Sequence, residues 1–317
     1  MIDIASPLRL RLDSAALVHN WRWLAERSGP AACGAAVKAD GYGLGAGAIV
    51  RHLAAAGCRH FFVATWAEAA ALMPLPAGVS LSVLHGAGAT DMVAARTLPA
   101  RPVLASVEQV ARWRAAGEGR PCDVMVDTGM NRLGLRVEEA LGGALDGLGI
   151  VNLLSHLASA DEDSAQNAAQ LAAFRAVRSQ IPAQRYSLAN SAGICLGPDY
   201  AFDLTRPGLA LYGGLPRGEA AGHIRQVAYP EARVLQVRTV PAGETVGYGA
   251  TWAPPAATTS SGPGASTRPR RCNGQASAGS RPGRCSAKEA GRRRRGRSRS
   301  APSSCRDACW CASATTP

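Results

Sequence analysis

Lysine is nearly missing from this chain. Of its 35 basic residues only Lys38 and Lys288 are lysine, and the rest are arginine. Arginine keeps its proton in a protein and cannot form a Schiff base, whereas lysine can lose its proton and can form one. The body of the chain writes arginine wherever a positive charge suffices, so its single lysine, Lys38, stands out as a reactive group. Metal-binding patterns are also missing. Of nine cysteines, Cys33, Cys58, Cys122 and Cys195 are scattered through apolar runs, while Cys272, Cys285, Cys305, Cys309 and Cys311 crowd the end without an accompanying histidine or a paired CxxC. No metal site is expected. No charged-then-apolar leader opens the chain and no apolar run reaches membrane-spanning length, so a cytoplasmic protein with reduced thiols and no membrane partner is expected.

The formal charge of +12 at first suggests a polyanionic partner. Its distribution removes that reading. Residues 253–317 hold twelve Arg and one Lys against Glu289 and Asp307, whereas residues 1–252 hold 22 basic and 21 acidic side chains. The body is nearly neutral, and no nucleic-acid partner is expected. The same boundary divides the apolar residues: after Trp252 there is no Val, Ile, Leu, Met, Phe or Tyr, and Trp310 is the only large apolar side chain. Such a segment cannot bury enough surface to offset the entropy of ordering it.

Before that boundary, short apolar runs alternate with amphipathic stretches. Leu8–Leu12, Ala31–Val37, Phe61–Ala64, Val79–Leu84, Val103–Ala105, Cys122–Val126, Ile150–Leu154, Arg185–Leu188 and Phe202–Leu204 read as strands. Ser14–Ser28, Ala46–Ala56, Ala67–Leu72 behind a Thr65 cap, Val107–Ala116 and Ala165–Gln180 read as helices. Near-continuous apolar strands between helices mean a parallel sheet covered on both faces. An α/β (β/α)8 barrel of the TIM type over residues 1–220 is expected, with a doubly wound sheet as the competitor; polar residues recurring at the ends of many strands favour the barrel. Residues 221–252, with the β-rich run Ala232–Val240 and a turn at Pro241–Gly243, read as the start of an all-β domain, incomplete here, and 253–317 as a disordered basic tail in which no strand is expected.

Lys38 ends an apolar run in Ala36-Val37-Lys38-Ala39-Asp40-Gly41-Tyr42-Gly43-Leu44-Gly45. Downstream follow Asp127-Thr128-Gly129-Met130-Asn131-Arg132-Leu133-Gly134, Ser155-His156-Leu157-Ala158-Ser159-Ala160-Asp161, Asn190-Ser191-Ala192-Gly193, Arg206-Pro207-Gly208-Leu209-Ala210-Leu211-Tyr212-Gly213 and Ala242-Gly243-Glu244-Thr245-Val246-Gly247-Tyr248-Gly249. Taken singly, several of these are more often turns. Together and in this order they resemble the segments of the alanine racemases, a pyridoxal-phosphate-dependent family, over residues 1–252.

The resemblance implies a role for each residue. Lys38 is the Schiff-base lysine and a base at the substrate Cα. Asn190 belongs to the phosphate segment; Ser191, the backbone of Gly208 and Leu209, and the Tyr42 hydroxyl hold the phosphate. Arg206 faces the pyridine nitrogen without giving it a proton, which leaves a weak electron sink suited to racemisation. Arg132 reaches the cofactor's phenolic oxygen and the substrate carboxylate, and His156 lines the ring. His85, also at a strand end, is given no role. The implied activity is interconversion of L- and D-alanine for cell-wall precursors by a homodimer.

Two departures from the family follow. Met125 stands where many relatives carry a carbamylated lysine that steadies the arginine corresponding to Arg132. No GYADG-like segment, which in the family supplies a tyrosine as the second base from the partner's β-domain, occurs after Trp252. Racemisation needs a base on each face of Cα, so this chain is expected to be impaired. A frameshift is the favoured reading of the tail, against a disordered nucleic-acid-binding extension or a true short form. A non-catalytic pyridoxal-phosphate-binding barrel and a racemase of serine or another amino acid stand as alternatives for the function.

Overall fold

The computed structural model describes residues 6–261. The expectations for residues 262–317, including disorder and a shifted reading frame, lie outside the described residues. Strand β1 (Leu8–Leu12) leads into helix α1 (Ser14–Arg27), whose N-terminus is capped by Asp13 accepting from Ala16 N at 2.9 Å. Then come β2 (Ala32–Cys33), β3 (Ala35–Ala36), the short left-handed element α2 (Lys38–Gly43), α3 (Ala46–Ala56), β4 (His60–Val63), α4 (Trp66–Ala71), β5 (Ser80–Val83), α5 (Met92–Thr97), β6 (Arg101–Leu104) and α6 (Val107–Ala116). The series continues with β7 (Cys122–Asp127), β8 (Leu135–Arg136), α7 (Val137–Glu139), β9 (Ile150–Leu154), α8 (Ala165–Arg178), β10 (Arg185–Ser187), α9 (Ser191–Cys195) and β11 (Leu204–Thr205).

Parallel pairing runs β10-β9-β7-β6-β5-β4-β3, and β11 pairs in parallel with β2. Backbone bonds close the ring: Gly34 N donates to Thr205 O at 2.9 Å, Ala36 N to Pro207 O at 2.8 Å, Asp203 N to Tyr186 O at 3.0 Å and Arg206 N to Ala189 O at 2.9 Å. With β2 and β3 counted as one strand interrupted at Gly34, eight parallel strands form the expected barrel. Gly34 permits the crossing, because a Cβ there would lie 2.8 Å from His60 O.

Most barrel strands, such as β4, β5, β6, β7 and β9, are buried on both faces, which explains the unbroken apolar runs. In β4, Phe61 joins the outer core with Leu17, Ile49 and Leu53 of the helices, while its neighbour Phe62 joins the barrel interior with Val103, Met125, Leu154 and Leu204. One step further along the strands, at the N-terminal end, the interior turns polar. Buried Asp123 accepts from Arg101 Nε at 3.0 Å, Asn152 Nδ2 at 2.9 Å and Ser82 Oγ at 2.5 Å, so its charge is both paired and solvated by donors.

Two expectations are corrected. Leu8–Leu12 is not a barrel strand; it pairs antiparallel with β12 (Ala228–Ala232), from Leu8 opposite Ala232 to Leu12 opposite Ala228. The reason is in its alternation of leucine and arginine: Leu8 and Leu10 remain 63% and 52% exposed, as fits a strand outside a barrel. The second correction concerns the stretch after Trp252. There β14 (Thr258–Ser261) pairs antiparallel with β13 (Val237–Val240), although no strand is expected from composition. The ladder is made by backbone groups, and β-branched Thr258 suits extended backbone without any large apolar side chain.

Candidate active site

The C-terminal ends of the barrel strands surround one cavity of about 450 Å³. Lys38 enters it from beyond β3, Leu84 and His85 from beyond β5, Met130 and Arg132 from beyond β7, and His156 from beyond β9. Asn190 and Ser191 follow β10, and Arg206, Gly208 and Leu209 follow β11. Together with Tyr42, all nine residues singled out by the sequence line this cavity. Parallel strands carry their following loops to the same end, which is why residues so far apart in sequence meet there.

One wall is a cradle of donors. The N–H groups of Gly208 and Ala210 both donate to Ser191 Oγ, at 3.0 and 3.2 Å. The Tyr42 ring stacks on Tyr212 with centroids 4.5 Å apart, and the Tyr212 hydroxyl donates to Ala36 O at 2.7 Å. Asn190 Oδ1 caps α9 by accepting from Gly193 N at 2.9 Å. The resemblance gives the Leu209 backbone to a phosphate group, while the neighbouring Ala210 N–H is engaged by the serine hydroxyl.

The same cavity holds the cations. Burial lowers the Lys38 amine from its ordinary value and the Arg132 guanidinium lowers it further, while Glu68 opposes them. Arg206 is buried; its terminal nitrogens donate to Ser187 Oγ and to the Ser155 carbonyl. Burial brings it down to about 10, still protonated at neutral pH. His156 is pushed down to about 3 by burial and then by Arg206, Arg132 and Lys38. A neutral imidazole therefore lies near Arg206, Arg132 and Lys38.

Arg132 is carried on a loop knotted around Asp127, whose Oδ1 accepts from Gly129 N and Met130 N at 2.8 Å each and whose Oδ2 accepts from Arg132 N at 3.1 Å. Burial alone would raise the Asp127 carboxyl, but these bonds outweigh it and hold it below its ordinary value. Met125 points into the barrel beneath and lines the same cavity as Arg132.

Two contributors have no role assigned from the sequence. His85 lines the cavity with Nε2 3.1 Å from Asp91 Oδ2. Gln170, buried on α8, accepts from Ala158 N at 2.9 Å and donates to His156 O at 2.9 Å, so it ties down the histidine loop. Only the strand-end position of His85 is a signal; for Gln170, on the buried face of a helix, there is none.

Comparisons with known proteins point to one family. The family model for the alanine racemase N-terminal domain matches residues 12–216. An alanine racemase of Acidiphilium cryptum is 46% identical over 252 residues, which cover 77% of this chain and 70% of that protein. A biosynthetic alanine racemase of Agrobacterium fabrum is 47% identical over 261 residues, 78% of this chain and 66% of that one. The crystal structure of the Bartonella henselae alanine racemase with covalently bound pyridoxal phosphate superimposes with a TM-score of 0.73 at 37% identity, covering 80% of this chain and 74% of that one. This chain, which spans about two thirds to seven tenths of the length of the curated relatives it matches, belongs to the alanine racemase family.

Proposed function

We propose that this chain holds pyridoxal phosphate in the barrel cavity and acts on alanine at its Cα, as the cofactor-binding and one-base part of an alanine racemase. The observation that carries the reading is the meeting, in one cavity, of the body's only lysine with Arg132, Arg206 and the Ser191–Gly208–Ala210 cradle. The residues fit the cofactor on their own chemistry. A Cβ at Gly208 would overlap the Tyr42 hydroxyl and stand 3.4 Å from Ala36 Cβ, so only glycine leaves this cradle open. Backbone N–H groups, a serine hydroxyl and a tyrosine hydroxyl are what a phosphate group accepts from. The cavity also has the size of a cofactor site.

When bound, pyridoxal phosphate supplies a conjugated ring that draws electrons from the substrate Cα and so acidifies its proton. The chain's residues do the rest. Lys38 would hold the cofactor through its amine and, once displaced, take or return the Cα proton on its own face. Its lowered basicity leaves more free amine near neutrality, which a base requires. Ser191, Tyr42 and the backbone of Gly208 and Leu209 would hold the phosphate. Arg206, anchored by Ser187 and Ser155, would present N–H donors to the ring nitrogen and keep its own proton. Arg132 would pair with the substrate carboxylate and orient it. His156 stays neutral, so it adds a hydrogen-bonding group without adding charge.

Assembly as a homodimer and supply of D-alanine for the cell wall belong to the same reading. Leu133 and Leu209, 53% and 49% exposed in the cavity wall, support a partner that covers the mouth. Among the described residues no helix is long and apolar enough to cross a membrane.

The test is reconstitution of the purified chain with pyridoxal phosphate, reduction with borohydride and peptide mapping. Label on Lys38 is expected, with a visible absorbance band before reduction. Label on Lys288, or none on folded protein, overturns the reading.

A further inference from the structure

The segment after Lys38 has an unusual backbone. Ala39, Asp40, Gly41 and Tyr42 lie at φ of 52°, 49°, 65° and 58°, a left-handed turn in which three of four residues carry a Cβ. Residues other than glycine persist there only when their surroundings hold them. The middle and far end are held locally: Gly45 N donates to Asp40 O at 2.9 Å, Ala46 N to Asp40 Oδ1 at 2.8 Å, and Tyr42 stacks on Tyr212. The near end, next to the lysine, has one local bond, Gly41 N to Val37 O at 2.9 Å, and is otherwise held from elsewhere. Ala39 N donates to Glu68 Oε1 at 2.9 Å, across 29 residues of sequence.

Glu68 also has a local duty. On α4 it completes a capping box, with its N–H donating to Thr65 Oγ1 at 3.2 Å and its Oε2 accepting from Ala64 N at 2.7 Å and Thr65 N at 3.4 Å. A capping box alone needs one carboxylate oxygen. Here the second oxygen reaches the residue beside Lys38. Ala64 itself lines the cavity, so one half-buried carboxylate joins two walls of the site.

We propose that Glu68 is a positioning residue for Lys38, its carboxylate clamping the left-handed turn that follows the lysine to the start of α4 and so fixing how the amine enters the cavity. The clamp rests on the reading of Lys38 as the cofactor lysine. Its charge acts in the same place: Glu68 favours the protonated amine against burial and Arg132.

The experiment compares Glu68→Ala, Glu68→Gln and Thr65→Ala in the full chain, with pyridoxal phosphate as the probe. Two quantities are read: the rate of borohydride-trapped labelling of Lys38, and the visible circular dichroism per bound cofactor, which arises only when the chromophore is held in a fixed orientation. Glu68→Ala is expected to label about tenfold more slowly, the scale of one lost charge-assisted hydrogen bond, and to lose most of the visible signal. Thr65→Ala weakens the same helix end but leaves the tie to Ala39, so its labelling should stay within about twofold of the parent. Glu68→Gln, with one acceptor oxygen instead of two, should fall between them. If Glu68→Ala does not fold, the comparison of Glu68→Gln with Thr65→Ala decides. Equal behaviour of the Glu68 variants and the parent overturns the proposal, as does an equal loss in the Glu68 and Thr65 variants. Those results leave labelling of the parent at Lys38 intact; failure of the parent itself to label there overturns the cofactor reading as well.

Discussion

The Tyr42 hydroxyl occupies the space that a side chain at Gly208 would need, and an added Cβ there would stand only 3.1 Å from Tyr42 Cζ. The two residues are far apart in sequence and come from opposite ends of the barrel series, yet each fixes the form of the other. Gly208→Ala must push the Tyr42 ring off Tyr212, where it now stacks at 4.5 Å. The substitution should weaken pyridoxal-phosphate binding by about tenfold, the loss of one phosphate hydrogen bond. In a Tyr42→Phe background the clashing oxygen is gone and the same change should do less. Fluorescence titration of the two singles and the double variant gives the coupling directly. Additive effects would show that the two residues do not constrain each other.

Much of this site is legible in the amino-acid sequence. A lone lysine among arginines, at the end of an apolar run, marks the reactive strand end, and Arg132, His156, Ser191 and Arg206 fall where parallel strands gather their loops. One helix is legible from its cap: Thr65 predicts α4 within a residue. What stays hidden is non-local. The ties from Glu68 to Ala39 and from Gln170 to His156 cross 29 and 14 residues, and no periodicity announces them. The left-handed turn is hidden for another reason, since Ala39 and Asp40 are ordinary in other backbone conformations. Leu8–Leu12 misleads because its apolar residues suggest a barrel strand, whereas its leucine–arginine alternation belongs to an exposed strand outside the barrel.

Two half-buried histidines give the fold a pH dependence of definite sign. His156 is pushed down to about 3, and His60 to about 4 by burial and then by Arg185 and Arg101. Each has an ordinary value of 6.5, so below it the unfolded chain takes up protons that the folded chain refuses. Stability is therefore complete above 6.5 and declines as the pH falls from there towards the folded values. Urea midpoints of the parent should drop between about pH 7 and about pH 5, before most carboxylates titrate. His156→Asn should flatten part of that drop. An unchanged slope in the variant would place the dependence elsewhere.

Arg217 closes the side of the cavity without touching its centre. It donates to the carbonyls of Ala160 and Glu162 at 3.0 Å each and pairs with Asp163 and Glu219. Ala160, Asp161 and Pro216 line the cavity, so this guanidinium joins the two loops that form that wall. The ion pairs are exposed on their acidic side and contribute little alone. The carbonyl bonds are the specific part, and they need a forked donor. Arg217→Ala and Arg217→Lys should therefore both raise amide exchange over residues 157–163 and weaken cofactor binding, the lysine failing to rescue because an ammonium cannot span the same set of acceptors. Full rescue by lysine would reduce Arg217 to a simple surface charge.

The last prediction separates proton transfer from inversion. Racemisation requires a proton to leave one face of Cα and another to arrive on the opposite face, so one base without a second gives exchange without inversion. Lys38 supplies the amine in the described cavity wall, His156 is held neutral far below physiological pH, and the sequence after Trp252 has no GYADG-like segment to offer a tyrosine. With pyridoxal phosphate in deuterium oxide, this chain should wash the α-proton from one enantiomer of alanine, leave the other unlabelled, and accumulate little inverted product. Nuclear magnetic resonance follows the α-proton, and chiral chromatography follows the configuration. Lys38→Arg should stop the exchange, because arginine keeps its charge but offers no free amine. Inversion as fast as exchange would mean that a second base operates, and His85, in the cavity wall beside Asp91, is the described residue to replace first in looking for it.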